Sequence, residues 1–252
     1  MLSVYKVALA PVLFAQALWL RHAALRLPEP AGPRSGCAPC STASPELRVL
    51  VIGDSSAAGV GVLQQTEALA AQTAAFLTDL IAAPVHWQLV AKSGISTRTI
   101  LKLLQAHELE RADVVVCALG VNDVAEQRKP ADFVRDYKRV IQYLADRVGA
   151  RAAVVNGLPP LHILPSAPQP LRWYLGEYAK RLDAQLQGWC SQADNLAYVS
   201  LQWAAVPSDM ASDRFHPGQG QYRRWARLVA NEIAAFCAQP RNVVNRMPYA
   251  KR

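Results

Sequence analysis

The sequence predicts an α/β fold in which a parallel sheet is covered by helices on both faces. Three observations point there. Apolar, β-branched segments alternate with segments of helical apolar periodicity five times along the chain. Parallel strands buried on both faces read as near-continuous apolar runs, as these do. Several strands end in small or amide residues, at the edge where a parallel sheet presents ligands. The chain's 252 residues, 52% hydrophobic and 18% charged, suit one domain of roughly 200 residues plus end segments.

Residues 1–27 come first. Positions 7–20 are almost wholly apolar, broken by Pro11 and Gln16; Lys6 precedes them and Arg21, His22 and Arg26 follow. The run is shorter than the about 20 residues a membrane span needs. It has the length of a signal-peptide core, but no clean small-x-small site follows and the downstream flank is basic. The expectation is an apolar helix held at a membrane surface, with Trp19 at the interface. The alternative is a helix packed on the domain. Basic residues are denser after the run (Arg21, Arg26, Arg34) than before it (Lys6), which favours the cytoplasmic face; a secretion signal would reverse this and export the domain.

Residues 28–45 are rich in Pro, Gly and Ser and read as a linker. They hold Cys37 and Cys40 in a CxxC without a second pair, which reads as an incidental pair or a metal or redox site. The globular domain is expected over 46–238. Its strands are read at 47–52, 86–90, 113–119, 152–155 and 197–201. Its helices are read at 63–82, 97–107, 131–148, 169–189 and 219–237. Cys117 in a strand, and Cys190 and Cys237 in helical patterns, read as core thiols. Residues 239–252 form a basic tail with Arg241, Arg246, Lys251 and Arg252. Net charge is +8 and the pI near 9.4. No Lys/Arg run is interleaved with aromatics, so no nucleic-acid face is expected. The charge reads as solubility or attraction to anionic lipid.

The chain is organised around residues 49–60, VLVIGDSSAAGV. A buried strand runs into Gly53-Asp54-Ser55, then a helix whose free N–H groups lie near the serine. The stretch lacks the Lys-Ser/Thr pair of a phosphate loop, and Gly53, Gly59 and Gly61 miss the dinucleotide spacing. Alone it is ordinary turn chemistry, since Asp and Ser are common helix caps. Other strand ends supply what such a serine needs. Gly94 follows the second strand and Asn122 the third, and the loop before the last helix reads Ser212-Asp213-Arg214-Phe215-His216-Pro217. A serine hydroxyl is a poor nucleophile until a base takes its proton, and histidine does this near neutral pH. A carboxylate orients the base, and Asp213 lies three residues before His216. Attack on an ester carbonyl puts negative charge on oxygen. The backbone N–H groups of Ser55 and Gly94 and the Asn122 amide are candidate donors to it.

GDS at 53–55, Gly94, GVND at 120–123 and DxxH at 213–216 resemble, in order and spacing, the blocks of the SGNH hydrolases, the GDSL esterase/lipase superfamily. The resemblance covers about residues 47–237. It implies a flavodoxin-like three-layer α/β/α sandwich with a five-stranded parallel sheet. It implies Ser55 as nucleophile, His216 as base, Asp213 as the orienting acid, and an oxyanion hole of Ser55, Gly94 and Asn122. The family's GDSL appears here as GDSS, a change at a position that is not catalytic. Asp54 and Asp123 are expected to brace their loops. His86 and His107 have no visible constellation, while His162 is a candidate for the pocket wall.

The function expected is a serine esterase working through an acyl-enzyme, without cofactor or metal. Its substrate class is a small-molecule or lipid ester, with thioesters and acetylated sugars inside the same chemistry. Residues 159–170 with Trp173, Tyr174 and Trp203 are expected either to form an apolar acyl pocket or to pack the core. The rivals are a catalytically silent member that binds an acylated ligand or polymer, and a cofactor-binding α/β domain; the missing glycine fingerprint argues against the second.

Overall fold

A computed structural model of the protein describes residues 2–40 and 45–238; the basic tail at 239–252 lies outside them. The centre is a six-stranded sheet in the order β1-β3-β2-β4-β5-β6. Its strands are β1 (Ser35–Ala38), β2 (Leu47–Gly53), β3 (Val85–Ala91), β4 (Val114–Ala118), β5 (Ala152–Asn156) and β6 (Leu196–Val199). From β3 to β6 all pairings are parallel, with Val51 opposite Leu89 on one side and Val116 on the other. β4 and β5 are buried at every position, which is why they read as unbroken apolar runs.

Helices close both faces, giving the three-layer α/β/α sandwich. One face buries Leu50, Ile52, Val115, Cys117 and Val155 under α5 (Ile100–Gln105), α7 (Pro130–Val148) and α8 (Leu171–Cys190). In α7 the residues Phe133, Tyr137, Val140, Ile141 and Leu144 repeat at helical spacing and are all buried. The other face buries Val49, Val51, Leu89, Val114 and Val154 under α3 (Ser55–Ala58), α4 (Leu69–Ile81) and α9 (Gln219–Ala238). Alternation along one strand thus feeds two cores.

The sheet departs from the expected five strands. The segment read as linker supplies β1, which pairs antiparallel with β3, Ser35 opposite Gln88 and Cys37 opposite His86. β1 has four residues, mostly exposed and without an apolar run. Nothing in its composition separates it from a linker; the open edge of β3 gives it a partner. Cys37 is exposed on this strand and Cys40 half-buried beyond it, while Cys117 and Cys190 are core thiols. Cys237, expected in the core, is exposed at the end of α9. The helix read at 63–82 begins only at Leu69. Residues Gln65–Glu67 form a separate 3₁₀ turn, and the short helices α3 and α6 (Val121–Ala125) carry too few residues for a periodicity.

The N-terminal segment forms α1 (Leu2–Ala8) and α2 (Ala10–Ala23), with Pro11 in the first turn of α2. Leu2 and Leu13 are buried against Leu171 and Tyr174 of α8. Gln16 accepts the Leu171 N–H at 2.9 Å and donates to Gln169 O at 2.6 Å, and Tyr5 meets Trp173 edge-on at 5.3 Å. One stripe therefore packs on the domain. Val7, Phe14 and Trp19 stay exposed at 76%, 67% and 57%. Among the described residues no helix is long and apolar enough to cross a membrane.

Candidate active site

β2 ends at Gly53, and only glycine serves there. A Cβ would lie 2.2 Å from Ala118 O and 2.5 Å from Ala57 Cβ. That close approach lets Asp54 N–H donate to Ala118 O, tying the turn to β4. Asp54 then caps α3, accepting the Ser56 N–H at 2.9 Å. Ser55 is the first residue of α3 and half-buried. From behind, the Tyr222 hydroxyl of α9 donates to Ser56 O and Val60 O at 2.9 and 2.8 Å. Burial pushes the Asp54 carboxyl up to about 6, against the opposing effects of the Ser56 N–H and His216.

The loop before α9 is folded around Asp213. One carboxylate oxygen accepts the N–H groups of Phe215 and His216, both at 3.0 Å. The other lies 2.5 Å from His216 Nδ1. A bridge between Met210 and Pro217, and the Ala211 N–H on His216 O, hold the loop's two arms together. His216 Nε2 then lies 2.8 Å from Ser55 Oγ. Burial works against the charged form of Asp213, but the bonds from His216 and Phe215 outweigh it and hold the carboxyl below its ordinary range.

Asn122 stands in α6, at the end of β4. Its amide donates to Ile95 O at 2.8 Å and lies 3.5 Å from Asp54 Oδ2. Asp123, fully buried, accepts the Thr97 N–H at 3.1 Å and the Thr97 hydroxyl at 2.6 Å. The loop carrying Gly94 is thus tied to the loop carrying Asn122 at two adjacent residues. Burial raises Asp123 to about 6, more than the Thr97 bonds lower it. Nothing in the sequence marks Thr97 for this part; a lone threonine carries no signal until its partner is known.

A family model described as the GDSL-like Lipase/Acylhydrolase family matches residues 51–243. The chain belongs to that family. The match starts within β2, so β1 and everything before it lie outside the matched part. Solved structures of SGNH-type esterases share the fold of this GDSL-family chain. A lipase from goat rumen metagenome, Lip_vut3, aligns with a TM-score of 0.60 at 18% identity over 75% of this chain and 98% of its own. TesA gives 0.56 at 21% over 74% and 97%. Est24, a carbohydrate acetylesterase from Sinorhizobium meliloti, gives 0.53 at 20% over 75% and 99%. A search of curated protein sequences found no match.

Beside the serine and histidine of this GDSL-family domain lies a cavity open to solvent. Asp54 and Ser56, which flank Ser55, and Phe215 and Pro217, which flank His216, form one side. The rest is mainly apolar: Leu119, Leu158, Leu161, Ile163, Leu164, Trp203 and Met210. Trp203, for which pocket wall and core packing were both open, lines the cavity and also packs against the core. Trp173 and Tyr174 do not line it; they sit under the N-terminal helices. Of residues 159–170 only the first half lines the cavity. His162 is exposed, its backbone backed against Gly176 of α8. Gln221 and Asn156 add the polar lining; Asn156 accepts the Trp225 indole N–H at 2.6 Å and donates to Cys117 O. Among the described residues no three His, Cys, Asp or Glu side chains are grouped to hold a metal ion.

Proposed function

We propose that this GDSL-family hydrolase cleaves carboxylic esters through an acyl-enzyme on Ser55. The observation that carries the reading is the relay Ser55 Oγ to His216 Nε2 at 2.8 Å and His216 Nδ1 to Asp213 at 2.5 Å. Ser55 Oγ attacks the ester carbonyl as His216 takes its proton. Asp213 fixes the ring so that Nε2 faces the serine, and stabilises the imidazolium that forms. The Ser55 and Gly94 N–H groups and the Asn122 amide receive the oxyanion. His216 returns the proton to the leaving alcohol, which departs. Water, deprotonated by the same ring, then attacks the acyl carbonyl and frees Ser55.

The cavity supports an acyl chain longer than acetyl. It lies beside Ser55 and is walled by Leu158, Leu161, Ile163 and Leu164, whose contacts favour methylenes over a sugar or a charged group. Lipase and carbohydrate acetylesterase both occur among the structural neighbours. The apolar wall favours the lipase-like substrate, including a thioester or lysophospholipid with the same acyl part. A p-nitrophenyl ester series tests both statements. Wild type should release p-nitrophenol with rates rising from acetate to a medium chain. Ser55→Ala should lose on the order of 10⁴–10⁶ in kcat while remaining folded. A silent ligand-binding member would hydrolyse none of the series.

The exposed side of α1 and α2 favours a membrane surface as partner. Val4, Val7, Phe14, Leu18 and Trp19 are exposed on helices that use one stripe for packing. Lys6, Arg21 and Arg26 accompany them, and residues 2–28 carry no acid. Apolar side chains beside unopposed positive charge suit an anionic bilayer surface.

A further inference from the structure

We propose that Glu29, in the segment before β1, is a positioning residue for the oxyanion hole. The inference rests on the reading of Gly94 as an oxyanion donor. Gly94 sits at the tip of a turn that is anchored by buried Ile95 but whose tip packing does not hold. Ile95 N–H donates to Lys92 O at 3.2 Å, and Gly94, third in the turn, has φ of 82°. That φ belongs to a type II turn, whose middle peptide here carries the Gly94 N–H. A Cβ at Gly94 would meet nothing within 4 Å, and Lys92, Ser93 and Gly94 are exposed. The direction of that N–H therefore depends on hydrogen bonds.

Glu29 supplies two of them. One carboxylate oxygen accepts the Ser93 N–H at 3.0 Å and the Ser93 hydroxyl at 2.8 Å. The other pairs with Arg34, whose guanidinium also donates to Ala91 O at 2.6 Å. The carboxylate is thus fixed at one end by Arg34 and fixes Ser93 at the other, one residue before Gly94. The same segment grips the turn after Ser55. Pro30 lies over Gly59, Ala31 N–H donates to Leu63 O, and Gln65 N–H donates to Ala31 O. Residues 29–34 therefore strap the nucleophile turn to the Gly94 turn, from a part of the chain that precedes the family match at residue 51. A hydrogen-bonded carboxylate suits this task because it accepts several donors at once with fixed geometry.

Steady-state kinetics of Glu29→Ala, Glu29→Gln and Ser93→Ala, beside Ser55→Ala, test the proposal. Glu29→Ala should lower kcat roughly tenfold or more, as loss of alignment in a reacting site does. KM and the thermal midpoint should stay close to wild type. Glu29→Gln keeps an acceptor for Ser93 and should restore kcat to within about threefold. Ser93→Ala, a surface change that cannot unfold the chain, should lower kcat about fivefold, the worth of one ordinary hydrogen bond. Unchanged kcat in Glu29→Ala and Ser93→Ala, or equal damage from Ala and Gln at position 29, overturns the proposal. Should Glu29→Ala fail to fold, Ser93→Ala decides. If Ser55→Ala itself keeps activity, the esterase reading fails; if it is inactive and the other variants are not, only the role of Glu29 fails.

Discussion

Asn122 has two jobs that pull on one amide. Its side chain donates to Ile95 O, which closes the site, and it faces Asp54 at 3.5 Å. In the proposed mechanism it is this second, long contact that gives way as the N–H turns toward a developing oxyanion. Asn122→Ala should therefore lower kcat by roughly 10²–10³ with little change in KM, because the interaction is made in the transition state. A large rise in KM at constant kcat would make Asn122 a ground-state contact instead. Residues of this kind were legible in the sequence because the chemistry fixes their type. A serine, a histidine with a carboxylate three positions before it, and an amide after an apolar strand stand out without any structure. Thr97 and Glu29 do not, since any acceptor or donor can hold a loop and only proximity shows which one does.

Elements followed the same logic. β2, β4 and β5 were readable because burial on both faces demands unbroken apolar runs, and α7 because burial on one side demands a 3.6-residue period. β1 carries neither signal; it is held by backbone pairing with β3, by the Thr78 hydroxyl on Ala38 O and by the packing of Ala38 against the core, none of which its own composition shows. The N-terminal helices showed their apolar character in sequence but not its division into a stripe packed on α8 and an exposed remainder, which depends on tertiary contact. The double variant Phe14→Ser, Trp19→Ser should keep its fold, since both side chains are exposed. It should bind anionic phosphatidylglycerol vesicles roughly tenfold or more weakly than wild type in a co-sedimentation assay. Equal pelleting of the two, or none by wild type, would remove the membrane surface as partner. Deleting residues 1–45 is not an equivalent test, because β1 and the Glu29 strap would go as well.

At the scale of the whole molecule, the sheet edge that carries the candidate site holds two buried carboxylates whose charge the fold disfavours. An unfolded aspartate titrates near 3.9. Asp54 and Asp123 are each raised to about 6, chiefly by burial. Between those values the folded chain binds protons that the unfolded chain has released. Their contribution to stability is thus full below about pH 4 and is lost as pH rises through about 6. Asp213 runs the other way. Its lowered carboxyl stabilises the fold above its unfolded value and stops doing so as pH falls through the folded one. Urea unfolding of wild type and Asp123→Asn between pH 4 and 7 separates the terms. The stability of wild type relative to the variant should fall as pH rises from 4 to 6 and then level. A difference independent of pH would mean that Asp123 titrates as an ordinary aspartate.

The proposed mechanism requires that Ser55, and no other serine, forms the acyl-enzyme. Reacting wild type with a fluorophosphonate and mapping the adduct by peptide mass spectrometry tests it most directly. The expected result is one phosphonyl group on the peptide containing Ser55, loss of esterase activity in step with labelling, and no adduct in Ser55→Ala or His216→Ala. Stoichiometric labelling of a different serine, or full ester hydrolysis by the unlabelled Ser55→Ala protein, would contradict it.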